Sequence, residues 1–140
     1  LFRNGLAEAK VKYFDQTLET IVELSKRHNL YIVTNGVTET QKRRLNQTPL
    51  HKYIKKIFIS EETGYQKPNP EFFNYVFNDI GEDERQHSII VGDSLTSDIL
   101  GGINAGIATC WFNFRGFDHN PGIIPDYEIN SWKQLNEIVR

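Results

Sequence analysis

Two aspartates in Gly92-Asp93-Ser94-Leu95-Thr96-Ser97-Asp98 stand between an apolar run and an amphipathic one. Carboxylates crowded at one strand end repel unless a cation joins them, and hard oxygens with open positions suit Mg²⁺. Asp98 or Ser97 could equally cap the following helix, a common task for both residue types. Thr34-Asn35-Gly36 ends another apolar run, and a hydroxyl with backbone N–H groups at such a turn can hold a phosphoryl oxygen. Lys67, in Gln66-Lys67-Pro68-Asn69-Pro70, is an ammonium on a segment stiffened by two prolines, able to balance phosphate and carboxylate charge. Each fragment alone also fits an ordinary turn, cap or surface lysine. Their order and their places at element ends set them apart.

The elements that must position these groups can be read from periodicity and turn chemistry. Leu18, Ile21, Val22 and Leu24 recur at helical spacing, and Leu30 to Val33 then reads as a buried strand. A polar helix is expected over Thr38 to Gln47, a strand over Ile57 to Ile59, and a loop from Gly64 to Pro70. Pro70 suits the first turn of a helix carrying Phe72, Phe73, Val76, Phe77 and Ile80, with Gly81 as its stop. Ser88 to Val91, Ala108 to Phe112 and Tyr127 to Ile129 read as further strands, separated by helices over Ser97 to Ala105 and Ser131 to Val139. Continuous apolar strands alternating with helices predict an α/β fold, a doubly wound parallel sheet covered on both faces. Ligands in such sheets sit beyond the carboxyl ends of the strands, where Thr34-Asn35-Gly36, Ser60-Glu61-Glu62 and Gly92-Asp93-Ser94 fall.

Composition narrows the function classes. The 140 residues are 39% hydrophobic and 24% charged, enough for a packed core and against wholesale disorder. Apolar runs such as Ile89-Ile90-Val91 are far shorter than the ~20 residues of a membrane span, so no membrane partner is expected. The single Cys110 forbids an internal disulfide framework and reads as a buried small hydrophobe, which points to a reducing, cytoplasmic setting. A basic stretch (Lys42, Arg43, Arg44, His51, Lys52, Lys55, Lys56) reads as a solvated face. With a formal net charge of −2, no nucleic-acid partner is expected. His28, His51, His87 and His119 lack metal-ligand spacing.

Taken together, Thr-Asn-Gly after one strand, Lys-Pro before a helix and Gly-Asp-x-x-x-x-Asp after a later strand resemble the haloacid dehalogenase-like superfamily. The stretches Ile59-Ser60-Glu61-Glu62-Thr63-Gly64, Gln66-Lys67-Pro68-Asn69 and Ser97-Asp98-Ile99-Leu100-Gly101-Gly102-Ile103-Asn104-Ala105-Gly106 are similar to its pyrimidine 5′-nucleotidase branch. The resemblance implies a Mg²⁺-dependent phosphatase acting on a small phosphate ester, a nucleoside 5′-monophosphate above all, through an aspartyl-phosphate. It implies Thr34, Asn35 and Gly36 at the phosphoryl group, Lys67 beside the nucleophile, and Asp93 with Asp98 at the metal. A sugar phosphate is the alternative substrate, and a non-catalytic phosphate-binding remnant is the alternative of another class. A dehalogenase is disfavoured because Asp93 and Asp98 suit a metal that such chemistry does not use.

The superfamily's first motif, Asp-x-Asp at the end of a central strand, occurs nowhere in this sequence. The expectation is therefore that the nucleophile, the central strand and a helical cap lie upstream of Leu1, in a missing N-terminal segment of the same protein. On this reading residues 1–14 are the end of the cap and its return linker, residues 15–140 form the core, and the 140 residues alone are inactive. Tyr13-Phe14-Asp15-Gln16-Thr17 superficially resembles the absent motif, but the amphipathic pattern begins immediately after Asp15, where a helix N-cap belongs. Gly92-Asp93-Ser94-Leu95 is also the signature of a serine esterase family. That chemistry needs an Asp-x-x-His, and Gly116 stands three residues before His119.

Overall fold

A computed structural model describes residues 2–3 and 11–139, with side chains described from Thr17 onward. The elements run β1 (Phe2–Arg3), α1 (Val11–Ser25), β2 (Tyr31–Thr34), α2 (Thr38–Asn46), β3 (Lys56–Ile59) and α3 (Ser60–Thr63). They continue with α4 (Pro70–Ile80), β4 (Ile89–Gly92), α5 (Leu100–Ala105), β5 (Ala108–Phe112), β6 (Tyr127–Ile129) and α6 (Leu135–Ile138). The strands form one sheet of order β3-β2-β1-β4-β5-β6 in which every pairing is parallel. This is the doubly wound α/β sheet expected from the sequence.

Successive strand residues point to opposite faces, so a strand buried on both sides feeds two cores. In β4, Ile90 packs with Val33, Phe58 and the α4 residues Phe72, Phe73, Val76 and Phe77. Its neighbour Val91 joins the other core, with Ile21 and Leu24 of α1, Leu135 of α6, and Cys110 and Phe112 of β5. Helix α4 forms where expected, with Pro70 in its first turn and Gly81 receiving the chain as it leaves the helix. Phe72, Phe73, Val76 and Phe77 lie on one face and are fully buried; each such side chain stabilises the fold by on the order of 2 kcal/mol relative to exposure.

Three sequence expectations need correction. Helix α1 begins at Val11, so Asp15 lies inside it and is neither an N-cap nor a strand-end nucleophile. The expected boundary after residue 14 therefore falls within α1. Phe2 and Arg3, expected in the end of the cap, form β1 between β2 and β4: Phe2 pairs with Ile32 and Val91, and Arg3 with Val33. The rest of the expected cap end and linker, residues 4–10, lies outside the described residues. The structure adds short helical turns: α3 directly after β3, and 3-10 turns at Pro49–Tyr53, Glu82–His87 and Trp132–Gln134. Pieces this short carry no full hydrophobic period to detect.

Helix α5 approaches the sheet closely through Gly102, where an added Cβ would lie 2.6 Å from Ile90 Cγ2 and 2.7 Å from Thr109 Cγ2. Gly102→Ala is expected to cost about 1–3 kcal/mol through overpacking, measured by urea unfolding. Cys110 is fully buried, and burial pushes its thiol up to about 12. A thiol reagent at pH 8 should therefore leave the native protein unlabelled and label one equivalent after unfolding. Because the folded thiol ionises later than the unfolded one, Cys110 should erode stability as pH rises past the ordinary thiol value near ~8.5.

Candidate active site

Strands β2 and β4 end side by side with β1 between them, and the loop from α3 to α4 crosses over their carboxyl ends. Lys67, on that loop, reaches down between them. Its Nζ donates to the carbonyl of Val33 in β2 at 3.0 Å and to Asp98 Oδ1 at 2.5 Å. The two side chains are 1% and 0% exposed. Burying either charge alone would cost several kcal/mol, so their survival in the interior depends on mutual pairing and on further hydrogen bonds. Asp98 Oδ2 has such a bond, accepting from the Ser94 backbone N–H at 3.2 Å.

Gly92 makes this placement possible. A Cβ there would lie 2.3 Å from Asp98 Oδ2, so only glycine lets the carboxylate sit against the end of β4. Asp98 enters from the π-turn Leu95–Ile99, whose start is capped by Ser94 Oγ accepting from the Ser97 N–H at 3.2 Å. The cap among these residues is thus Ser94, while Asp98 is buried beneath the turn. Gly101 of α5 fits the other side of the Lys67 loop, where a Cβ would meet the Phe73 ring at 2.9 Å and Pro68 Cα at 3.4 Å.

Asn35 joins the first expected segment to the second. Its Oδ1 accepts from the Lys67 N–H at 2.9 Å and its Nδ2 donates to the Lys67 carbonyl at 3.1 Å. This reciprocal pair fixes the backbone from which the ammonium hangs. Thr34, at the end of β2, is buried and its hydroxyl donates to the Asn35 carbonyl at 3.2 Å. The Gly36 N–H, expected to face a phosphoryl oxygen, instead donates to Ser60 Oγ at 2.9 Å. Glu61, next along, accepts from the Thr38 N–H at the start of α2 at 3.2 Å, a favourable place for a carboxylate.

Asp93 lies one residue beyond β4. Its carbonyl accepts from Trp111 Nε1 at 3.1 Å, and its Oδ2 is 3.3 Å from Arg115 Nη1. The Asp93 side chain is 15% exposed. Among the described residues no three acidic, histidine or cysteine side chains gather into a metal cage. Mg²⁺ does not require one: it is commonly held by one or two carboxylates with waters and substrate phosphate. Asp93, a hard oxygen donor at the solvent edge, fits that role, whereas both oxygens of Asp98 are engaged by Lys67 and Ser94. Of the four residues expected at one end of the sheet, Lys67 and Asp98 are in contact, while Thr34 ends β2 and Asp93 follows β4. Ser60, which the sequence already places at a strand end, bonds the Gly36 N–H, whereas Trp111 and Arg115 carry no site expectation in the sequence. Only Trp111 left a signal, since an indole N–H in a buried strand must find an acceptor.

Comparison with known proteins agrees with this architecture. Residues 2–112 match the haloacid dehalogenase-like hydrolase family. The chain belongs to that family. YfnB of Bacillus subtilis (strain 168) is 47% identical over 138 residues, which are 99% of this chain and 58% of YfnB. The magnesium-bound crystal structure of YfnB matches with a TM-score of 0.86 over 90% of this chain and 55% of that one. The pyrimidine 5′-nucleotidase YjjG of Escherichia coli (strain K12) is 42% identical over 108 residues, 77% of this chain and 48% of YjjG. The pyrimidine 5′-nucleotidase PynA of Streptococcus pneumoniae is 37% identical over 118 residues, 84% of this chain and 49% of PynA. The likeness to the nucleotidase branch read from the sequence is borne out, and this haloacid dehalogenase-like chain spans about half the length of these relatives.

The buried pair can be tested without any substrate. Lys67→Met leaves the Asp98 carboxylate buried without its counter-charge and should cost about 3–5 kcal/mol of stability in urea unfolding. The double substitution Lys67→Met with Asp98→Asn should recover a large part of that loss. Additive losses in the double variant would contradict the pairing.

Proposed function

We propose that this chain is the larger part of the core of a Mg²⁺-dependent phosphatase that hydrolyses a small phosphomonoester, with a nucleoside 5′-monophosphate as the preferred class. The observation that carries the reading is the Lys67 ammonium, held by Val33 and Asp98 at the shared carboxyl end of β2 and β4. A fixed cation in a site largely closed to water stabilises charge that develops on a transferring phosphoryl group, and it needs no reorganisation to do so. Membership of a hydrolase family and the similarity to YjjG and PynA support the phosphate-ester substrate.

In this reading the Thr34 hydroxyl turns from the Asn35 carbonyl to donate to a phosphoryl oxygen. Lys67 offsets the charge of the phosphoryl group and of the attacking carboxylate, Asp98 keeps Lys67 charged and in place, and Asp93 holds Mg²⁺. The metal, when bound, supplies further neutralisation of the phosphoryl oxygens. Asn35 acts through the Lys67 backbone. The attacking carboxylate belongs to a segment outside these 140 residues, since the sequence contains no Asp-x-Asp. Its oxygen forms a bond to phosphorus as the ester oxygen departs and takes up a proton. Water then cleaves the aspartyl-phosphate, returning the carboxylate and releasing inorganic phosphate.

The full-length protein should release phosphate from pyrimidine nucleoside monophosphates in the presence of Mg²⁺, lose that activity in EDTA, and regain it when Mg²⁺ is restored. Thr34→Val in the same protein should lower kcat by roughly 10²-fold, the typical loss for one donor to developing charge. The 140-residue chain by itself should show no turnover above background. Hydrolysis that persists in EDTA or in Asp93→Asn would overturn the assignment.

A further inference from the structure

The loop that follows β5 builds a wall beside Asp93 that no step above uses. Arg115 and Phe117 stand on it and, with Leu95 and Trp111, line an open cleft of about 370 Å³ that reaches Asp93. Phe117 is 57% exposed, yet one buried side chain holds its backbone at both polar groups. Asn113 Oδ1 accepts from the Phe117 N–H at 2.8 Å, and Asn113 Nδ2 donates to the Phe117 carbonyl at 2.9 Å. The same Nδ2 donates to Glu128 Oε2 at 3.0 Å, which ties the loop to β6. That bond, with the His119 ring 2.6 Å from the other oxygen, holds the Glu128 carboxyl below the usual range although burial opposes it. The Phe117 ring thus stands exposed at the edge of the cleft on a backbone bonded at both its N–H and its carbonyl.

Arg115 completes the wall. Its guanidinium lies 4.5 Å from the centre of the Phe114 ring and 5.9 Å from that of Phe117. The single contact with Asp93, at 3.3 Å, uses one of five N–H donors. An aromatic face and a cationic donor side by side suit a flat ring that carries carbonyl oxygens, because the ring can stack while its oxygens accept hydrogen bonds.

We propose that Arg115 and Phe117 select the leaving group of the substrate, with a pyrimidine base stacked on the Phe117 ring and a base carbonyl accepting from Arg115. This rests on the phosphatase reading, since the base comes to the wall only when its phosphate sits at Lys67 and Asp93. The test uses the full-length protein and two probes, uridine 5′-monophosphate and glycerol phosphate, which has no ring. Equilibrium dialysis and steady-state kinetics are read together for Phe117→Ala, Phe117→Trp and Arg115→Gln. Phe117→Ala should weaken uridine monophosphate binding and raise its KM about tenfold, the size of one lost stacking contact. It should leave kcat and the KM for glycerol phosphate as they were, and Phe117→Trp should restore the affinity. Arg115→Gln should weaken uridine monophosphate more than glycerol phosphate. Equal effects on both phosphates, or none on uridine monophosphate, would overturn the wall as a selector. Turnover and binding fail separately: a protein that hydrolyses neither phosphate but binds uridine monophosphate tenfold more weakly in Phe117→Ala refutes the phosphatase reading and keeps the wall.

Discussion

Among the described residues one ion pair is fully buried, Lys67 with Asp98, and the local structure around it follows from the need to satisfy both charges. Neither group has water to fall back on at 1% and 0% exposure. Lys67 therefore takes the Val33 carbonyl as a second acceptor, and Asp98 takes the Ser94 N–H as a second donor. Those two bonds tie the ends of β2 and β4 to the same pair, across the narrow β1 that separates them in the sheet. A hydrophobic pair of similar volume could be as stable or more so. The charged pair offers a cation fixed in position at a strand end.

Glycines and amides do the remaining work of closing the site. Gly92 admits the Asp98 carboxylate and Gly101 admits the Phe73 ring beneath the Lys67 loop, each closer than a Cβ would allow. Asn35 uses both ends of its amide on the Lys67 backbone, and Ser60 takes the Gly36 N–H. The turn after β2 is thereby bonded to the loop after β3 and to the loop before α4. These contacts join residues far apart in the chain, and they convert three separate loops into one rigid rim. Such a rim meets the demand that groups acting on developing charge be in place beforehand.

Much of this was legible in order along the chain. The apolar runs at Leu30 to Val33, Ile57 to Ile59, Ile89 to Val91 and Ala108 to Phe112 announced buried parallel strands, and the polar residues just beyond them marked the site. Helix α4 followed from Pro70, Gly81 and one aromatic face. The errors have local physical causes. Asp15 looks like a cap because the described apolar face of α1 starts after it, but the helix continues back to Val11. Phe2–Arg3 is too short to show a strand pattern, and only its neighbours Ile32, Val33 and Val91 make it one.

Residue type and spacing by themselves determined that Thr34 and Asp93 would stand at strand ends and that Lys67 and Asp98 would fall in the turns leading into helices, because the apolar runs on either side must be buried. What each group bonds to was decided by the tertiary structure alone. Asp98 could have faced solvent or a metal, and it is given to Lys67 because Gly92 and the π-turn carry it under the loop. Gly36 turns to Ser60, and Arg115 reaches Asp93 from a loop with no motif of its own. Partner choice depends on distances of a few ångströms between segments brought together by sheet order, and no one-dimensional pattern encodes such distances.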